Sequence, residues 1–198
     1  MTGRRSATAA RSSRTGSGPR ARRGSFDRPA AELARALLGA TLTVRSAGGP
    51  RSVRIVETEA YVRHDPASHA FRGPTPRNRS MFSEPGTLYV YRIHQVVCAN
   101  LVARRGEAVL LRAGAADRAD PRSASGPGRL CRFLGITIAD DGADAVEGDR
   151  VEVRWAPERA GPVRTGPRVG IRKAVDRRLR FVLAKEPAVS RPRPREPT

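Results

Sequence analysis

The residues with the clearest chemical potential lie in one short run, Ile55-Val-Glu-Thr-Glu-Ala-Tyr61. If this run is a strand, side chains alternate between faces, and one face carries Val53, Ile55, Glu57, Glu59 and Tyr61. The two aliphatic residues predict that this face is buried, yet it continues into two carboxylates and a phenol. Because burying an unpaired carboxylate is costly, the run indicates either a working site or a frayed strand end with solvated or arginine-paired glutamates.

The chain is strongly basic, with a formal net charge of +19 over 198 residues. Residues 1–28 contribute +7 (eight Arg, one Asp) and residues 191–198 contribute +2 (three Arg, one Glu), which leaves +10 for residues 29–190. No amphipathic basic helix or apolar anchor accompanies the charge, so nucleic acid is favoured over a membrane as the partner. The 38 basic residues include only two lysines, a skew that GC-rich codon usage also produces.

Composition argues against several other classes of protein. Cys98 and Cys131 lie far apart without metal-ligand spacing, which predicts no zinc site and no disulfide framework and fits a reducing, cytoplasmic compartment. No apolar run approaches the roughly 18 residues of a transmembrane helix. Residues 1–26 lack the apolar segment of a secretory signal and are expected to form a disordered basic arm, with organelle targeting left open. Residues 191–198 are expected to be a disordered tail, so residues 27–190 are expected to form one domain.

Apolar spacing predicts an α+β domain with a mostly antiparallel sheet. A helix is expected from its cap at Asp27 to Leu38, with Gly39 ending it, and a shorter helix at 129–134. Residues 63–86 are expected to form a long polar loop, and loops of this length in small domains are typically functional or disordered. Strands are expected at 41–45, 53–61, 87–93, 96–103, 107–113, 151–155, 168–172 and 180–183.

An ordered series of motifs over residues 29–190 is similar to the alkyladenine (3-methyladenine) DNA glycosylase family. The motifs are Arg54-Ile-Val-Glu-Thr-Glu-Ala-Tyr61, His69, Thr75-Pro-Arg-Asn-Arg79-x-Met81-Phe82, Pro85-Gly-Thr-Leu-Tyr-Val-Tyr91, Cys98-x-Asn100, Val109-Leu-Leu-Arg-Ala113, Gly126-Pro-Gly-Arg-Leu-Cys131 and Arg168-Val-Gly-Ile171. The resemblance implies a compact fold related to the C-terminal domain of methionyl-tRNA formyltransferase. It also implies that a monomer cleaves the N-glycosidic bond of damaged purines in duplex DNA, without metal or cofactor.

The same resemblance implies roles for the carboxylate run. The catalytic carboxylate of the family corresponds to Glu59 in this sequence. Glu59 would deprotonate the water that attacks C1′ and would stabilise positive charge on the sugar. Arg112 and the backbone carbonyl of Val169 would anchor that water and Glu59, while Glu57 is expected to be structural. No catalytic lysine is evident near the motifs, so we expect hydrolysis to an abasic site and no Schiff-base step.

A base must leave the duplex stack before its sugar bond is attacked, and the flipped base needs flat partners. Tyr61 and Tyr91 are expected to form a stacking slot with His69 at its rim, and aromatic faces attract cationic alkylated purines. Asn100 matches the position at which the family's side chain clashes with the 2-amino group of guanine.

The expected DNA contacts include one departure from the family pattern. Arg77 and Arg79 would contact phosphates. The family's hairpin tip carries Tyr-Gly followed by bulky residues, whereas this chain has His94-Gln95-Val96-Val97 and is one residue shorter before Cys98. Imidazole is a smaller wedge than phenol, which predicts weaker flipping or a changed substrate range.

Three alternatives to a glycosylase of small alkylated purines stay open at this point. The first is a non-catalytic DNA-lesion binder, although intact Glu59 and Arg112 argue against it. The second is a glycosylase for bulky adducts. The third is an Arg-rich RNA-binding protein, which would have no use for an acidic strand end.

Overall fold

The computed structural model describes residues 18–158 and 160–194. Its body is an eight-stranded sheet in which the paired strands are antiparallel, so the predicted α+β class is confirmed. The strands are β1 (Thr41–Ser46), β2 (Gly49–Tyr61), β3 (Leu88–Ile93), β4 (Val96–Val102), β5 (Ala108–Ala115), β6 (Val151–Arg154), β7 (Val163–Gly166) and β8 (Arg180–Leu183). The helices are α1 (Arg23–Phe26), α2 (Ala30–Ala36) and α3 (Pro127–Leu134), with short 3₁₀ segments at Arg79–Phe82 and Ile138–Asp140.

Strand β2 is the centre of the sheet, which has the order β3-β4-β5-β2-β1-β6. The first half of β2 pairs with β1, the segment Glu57–Glu59 pairs with β8 on the same edge, and β5 follows the opposite edge. Strand β7 extends the sheet beyond β8. Because Glu57–Glu59 is hydrogen-bonded to a strand on each side, the acidic run is held in the middle of the sheet rather than at a frayed end.

Both faces of β2 are covered. Val53, Ile55, Val56 and Ala60 are at most 1% exposed. The hydroxyl of Thr58 donates a 2.8 Å hydrogen bond to the carbonyl of Ala34 on α2, which identifies the helix-covered face. Glu59 and Tyr61 alternate with Thr58 and therefore point to the opposite face. Register shifts against β5 between Ile55 and Thr58 interrupt the regular alternation that the sequence predicted from Val53 to Glu59.

Helix α2 is shorter at both ends than predicted. It begins after Pro29, and Asp27 ends α1 instead of capping α2. The exposed donors of a helix N-terminus need partners, and here the Glu107 carboxylate accepts a 2.8 Å hydrogen bond from the N–H of Ala30. Gly39 follows the helix with a φ of 87°, a conformation that favours glycine, as expected.

Two further segments differ from the sequence prediction. The strand predicted at 168–172 is a loop, in which Gly170 has a φ of 80°. Strand β7 was not predicted, because its four residues contain a single large apolar side chain. Segment 63–86 is an ordered loop: the side-chain amide of Asn78 donates to the carbonyls of His69 and Gly73 at 2.8 and 3.1 Å.

Residues on both sides of the predicted domain, 27–190, pack against it. Phe26 is fully buried with its ring 5.7 Å from Trp155, and Arg23 forms a 2.6 Å ion pair with Asp144. At the other end, the carbonyl of Pro192 accepts a 2.7 Å hydrogen bond from Arg180. The remainder of the expected arm, residues 1–17, and of the expected tail, residues 195–198, lies outside the described residues.

Candidate active site

Glu59 is fully buried in β2 and has three polar neighbours. Its Oε1 accepts a 2.8 Å hydrogen bond from Val169, through the backbone N–H and not through the carbonyl expected from the sequence, and lies 3.4 Å from Nη1 of Arg112. Its Oε2 accepts a 3.0 Å hydrogen bond from the hydroxyl of Tyr61. Burial raises the pKa of Glu59 and outweighs the opposing effects of Arg112 and the two hydrogen bonds. The carboxylate therefore binds a proton more readily than an ordinary glutamate does.

Glu57, two residues earlier, has a complete set of strong partners. Its Oε1 lies 2.8 Å from the Nε atoms of both Arg112 and Arg180 and accepts a 2.9 Å bond from the Ser190 hydroxyl. Its Oε2 accepts a 2.7 Å bond from the N–H of Ser190. A carboxylate saturated in this way has no lone pair directed at a substrate, which fits the structural role expected for Glu57. Arg112 therefore bridges the two glutamates and binds Glu57 more closely than Glu59.

A cavity of about 550 Å³ lies beside this pair of glutamates. Glu59 does not border it directly, but all three of its polar neighbours do. Of the residues expected in the site, the cavity is lined by Tyr61, His69, Tyr91, His94, Asn100, Arg112 and Val169. The other three expected residues, Arg77, Arg79 and Gln95, are exposed and do not line it.

One wall of the cavity is aromatic. The ring of His69 meets Tyr91 edge-on, with 4.6 Å between centroids, and its Nδ1 is 2.8 Å from the hydroxyl of Tyr89. Partial burial lowers the pKa of His69, and burial raises the pKa of both Tyr89 and Tyr91, so these groups are uncharged at neutral pH. Tyr89 was not predicted, although the alternation of strand β3 places it on the same face as Tyr91.

Tyr61 and Tyr91 do not lie on neighbouring strands. Tyr61 ends β2 and Tyr91 belongs to β3, with β5 and β4 between them. Both rings nevertheless border the same cavity. The two rings therefore reach one cavity from separate parts of the sheet.

Asn100 lies opposite Tyr89 on β4 and is 3% exposed. Its Nδ2 donates a 3.0 Å hydrogen bond to the Tyr89 carbonyl, which fixes the amide plane at the cavity wall. Asn100 therefore lines the cavity, while its expected clash with the 2-amino group of guanine stays a prediction.

The hairpin between β3 and β4 ends at the cavity. Ile93 pairs with Val96, and the two tip residues, His94 and Gln95, have φ values of 43° and 68°. Two-residue hairpin turns of this kind favour Asn-Gly, so the conformation is uncommon for histidine and glutamine. Ile93 and Val96 are 48% and 39% exposed. The tip therefore presents an imidazole flanked by two aliphatic side chains.

The loop after β7 brings three basic residues to the site that sequence reasoning did not identify, Arg168, Arg172 and Lys173, of which Arg172 and Lys173 line the cavity. Lys173 is exposed and lines the cavity, so a primary amine does border it. Arg168 is buried behind Tyr61, with its Cζ 4.7 Å from the ring centroid, and forms a 2.6 Å ion pair with the buried Asp65. The sequence did contain a signal for these residues, because all three lie within four positions of Val169, a predicted site residue.

Residues 24–187 match the model of the family described as Methylpurine-DNA glycosylase. The chain belongs to the methylpurine-DNA glycosylase family. Relatives named "Putative 3-methyladenine DNA glycosylase" include one from Agrobacterium fabrum, 45% identical over 179 residues that cover 84% of this chain and 90% of that protein. Another, from Rhizobium johnstonii, is 41% identical over 180 residues, covering 84% and 87% of the two chains. A third, from Nitrosospira multiformis, is 42% identical over 186 residues, covering 84% and 92%.

Membership identifies this methylpurine-DNA glycosylase as an enzyme of DNA repair, a hydrolase of N-glycosyl bonds whose substrate is DNA. The resemblance seen in the sequence is thereby confirmed. Among residues 18–158 and 160–194, no group of three or more His, Cys, Asp or Glu side chains is placed to hold a metal ion. No helix in the same ranges has the length and apolar character to cross a membrane.

Proposed function

We propose that this methylpurine-DNA glycosylase flips alkylated purines, 3-methyladenine and 7-methylguanine, out of duplex DNA and hydrolyses their N-glycosidic bond with Glu59 as general base. The observation that carries this proposal is the position of a buried carboxylate directly behind the wall of an aromatic cavity. The product is an abasic site, the first intermediate of base excision repair.

The cavity suits a flat, electron-poor base. Tyr61, Tyr91 and His69 provide ring faces and edges, and the tyrosines are neutral phenols. Stacking on aromatic side chains contributes about 1–3 kcal/mol per base, and a cationic ring adds an electrostatic attraction of about 0.5–2 kcal/mol. A positively charged purine is therefore retained in preference to the normal base that it replaces.

The chemical step uses the carboxylate in two ways. As the C1′–N bond breaks, its electron pair leaves with the purine, so a cationic base departs neutral and the sugar becomes positively charged. Water then bonds to C1′ and passes its proton to Glu59. The negative carboxylate stabilises the positive sugar in the transition state, and its raised pKa favours proton uptake.

Access to Glu59 passes through Tyr61. The carboxylate itself has no exposed surface, and its Oε2 is bonded to the tyrosine hydroxyl, which belongs to a cavity-lining residue. We assign the Tyr61 hydroxyl as the contact through which the attacking water and Glu59 exchange a proton. Hydrogen bonds in a free enzyme commonly tighten or change partners when the substrate binds.

Contacts to the duplex are assigned to the exposed residues near the cavity. Arg77 and Arg79 bind phosphates from the ordered 63–86 loop, and the tip residues His94 and Gln95 enter the duplex. We propose that the enzyme acts as a monomer, without metal or cofactor, on DNA in the bacterial cytoplasm.

A base-release assay tests this proposal and separates hydrolysis from lyase chemistry. Duplex DNA with a single 3-methyladenine is incubated with excess enzyme, the free base is quantified, and the strand is examined before and after alkali. We expect free base and an intact strand that breaks only in alkali. Absence of base release would overturn the proposal.

Lys173 provides the control for the mechanism. An amine that attacks C1′ forms an imine that borohydride reduces to a stable protein–DNA adduct. We expect no adduct with the wild-type enzyme, and equal base release by Lys173→Ala. An adduct that disappears in Lys173→Ala would replace hydrolysis by a lyase mechanism.

A further inference from the structure

Tyr61 separates the cavity from a buried cation. Its ring borders the cavity, while the Arg168 guanidinium lies over the ring at 4.7 Å from the centroid. Arg168 does not border the cavity, and its side chain has no exposed surface. A base stacked on the face of Tyr61 away from Arg168, here called its open face, would therefore have an arginine on the opposite side of the same ring.

Asp65 neutralises that arginine. Its Oδ2 lies 2.6 Å from Nη2 of Arg168, and both side chains are fully buried. The half-exposed Arg177 approaches the same oxygen at 3.8 Å, where solvent screens its charge. Arg168 is fixed further by a 3.1 Å hydrogen bond from Nη1 to the carbonyl of Ala60, the residue before Tyr61. The position of the guanidinium is therefore determined by the backbone of β2.

The pair also joins the two loops that border the cavity. Asp65 belongs to the 63–86 loop, and its Oδ1 accepts a 2.9 Å hydrogen bond from the N–H of Ala67, a lining residue. Arg168 precedes Val169, which binds Glu59. One buried ion pair thus supports Tyr61 from behind and holds both loops in place.

We infer that Asp65 and Arg168 are positioning residues that set the charge preference of the base site, an inference that rests on the proposed excision of alkylated purines. The Arg168 guanidinium stacks on the Tyr61 ring and thereby fixes the orientation of the ring. Asp65 cancels the positive charge of Arg168, which would otherwise repel a cationic base through the ring. The pair thereby keeps the rear of the site rigid without making it electropositive.

Distance makes this effect measurable. A base in van der Waals contact with the open face of Tyr61 lies about 8 Å from the Arg168 charge. At the effective dielectric of about 20 that applies near protein sites, an unopposed charge at this distance weakens the binding of a cation roughly tenfold or more. A neutral base is affected far less. The preference between cationic and neutral bases is therefore the quantity that reports on Asp65.

Asp65→Asn tests the inference because the amide keeps the shape of the side chain and loses the charge. With its oxygen still accepting from Ala67, its NH₂ faces the Arg168 guanidinium, a donor–donor contact that Arg168→Gln relieves in the double variant. Single-turnover excision is measured against enzyme concentration on one duplex that contains either 7-methylguanine or neutral hypoxanthine. We expect Asp65→Asn to lower the 7-methylguanine to hypoxanthine ratio of second-order rate constants roughly tenfold. The double variant Asp65→Asn/Arg168→Gln, which is neutral again, should return the ratio to the wild-type value.

The outcomes separate the inference from a purely structural role. Equal losses on both bases in Asp65→Asn, or a double variant with the same low ratio, would overturn it. If Asp65→Asn does not fold, the single variant Arg168→Gln tests the inference. Removal of the cation must then leave the ratio of the 7-methylguanine to the hypoxanthine rate constant at or above the wild-type value. A fall in that variant overturns the inference. If the wild-type enzyme releases neither base, the proposed function fails, whereas wild-type release with an unchanged ratio in Asp65→Asn contradicts only the role of the ion pair.

Discussion

The backbone N–H of Val169 donates a 2.8 Å hydrogen bond to the Glu59 carboxylate although the two residues are 110 positions apart in the chain. Val169 and the four residues that follow it also line the cavity. The loop that holds Glu59, the candidate general base, is therefore the same loop that lines the cavity. Catalytic geometry and substrate fit are expected to change together when this loop is altered.

Replacement of Glu59 by Gln is expected to abolish excision and leave lesion binding largely intact, because the amide keeps the size and loses the basic group. Loss of a general base lowers the rate by about 10²–10⁴-fold. Single-turnover release of 3-methyladenine measures the rate, and gel-shift titration measures the binding.

Glu57→Gln is the matched control, since it changes an equally buried carboxylate on the same strand. It should retain activity in the folded fraction, although breaking its pairs with Arg112 and Arg180 costs about 3–5 kcal/mol of stability. A Glu59→Gln enzyme with near wild-type excision would remove Glu59 from the mechanism.

The rate of excision should fall as the pH is lowered, and the midpoint of this acid limb should lie at a higher pH than the pKa of an ordinary glutamate, which is about 4.3. Burial raises the pKa of Glu59, so its basic form is lost as the pH falls through that higher value. Arg112 lowers the pKa of Glu59, and Arg112→Gln should therefore shift the limb to still higher pH. Single-turnover rates between about pH 4 and about pH 8, with circular dichroism to confirm folding, test this. A limb that does not move in Arg112→Gln would contradict the assignment.

Asn100→Ser and Asn100→Ala are expected to admit guanine-type bases, raising excision of 7-methylguanine or undamaged guanine relative to 3-methyladenine. A shorter side chain no longer meets the 2-amino group. Both variants also remove the hydrogen bond to the Tyr89 carbonyl, so the selectivity ratio rather than the absolute rate is the readout. Equal selectivity in wild type and variants would argue against a steric role.

His94→Tyr is expected to improve excision of neutral hypoxanthine and ethenoadenine more than that of cationic 3-methyladenine. A larger ring fills the gap left by the flipped base more completely. Wild-type activity on the neutral lesions should be poor, because their glycosidic bonds are strong and the imidazole wedge is small. Base release across this lesion panel is the measurement.

Val96→Ser is the companion variant at the hairpin tip, since Val96 is 39% exposed beside His94. If wild type excises ethenoadenine efficiently and only Val96→Ser impairs it, the aliphatic side chain fills the gap instead of His94.

Deletion of residues 1–17 should lower affinity for any duplex and reduce its salt dependence, because the slope of log K against log salt falls by about 0.9 for every phosphate that the arm no longer neutralises. Excision of a saturating lesion substrate should be little affected. Deletion of residues 1–26 should also destabilise the fold by about 3–5 kcal/mol, since Phe26 is fully buried. Binding titrations at several salt concentrations and thermal melts distinguish the two truncations. Equal stability of the two would contradict the packing of residues 18–26.

The sequence predicts the sheet well where alternation is strong. The hairpin of β1 and β2 and the strands β3 to β5 follow from apolar periodicity, and the family motifs within them contain four of the predicted cavity-lining residues, Tyr61, Tyr91, Asn100 and Arg112. The loop at 168–172 has the pattern of a strand because Val169 and Ile171 alternate with polar residues, whereas Gly170 bends the chain.

Long-range partners could not be predicted from local pattern. Ser190 completes the shell of Glu57 and Arg168 stacks on Tyr61, and both interactions depend on how distant segments meet in three dimensions. The packing of residues 18–26 was missed for the same reason, since one buried phenylalanine determines it in an otherwise polar, basic stretch.

The pairing of Glu57 with Ser190 has a consequence for synthesis of the protein. The two residues are 133 positions apart, so a ribosome adding about 5–20 residues per second needs roughly 7–27 s to produce the second after the first. During that interval a nascent chain carries the acidic strand without Arg180 or Ser190. The central strand of the enzyme is thus translated long before its last polar partner, so the polar contacts of Glu57 are completed only after the C-terminal segment has been made.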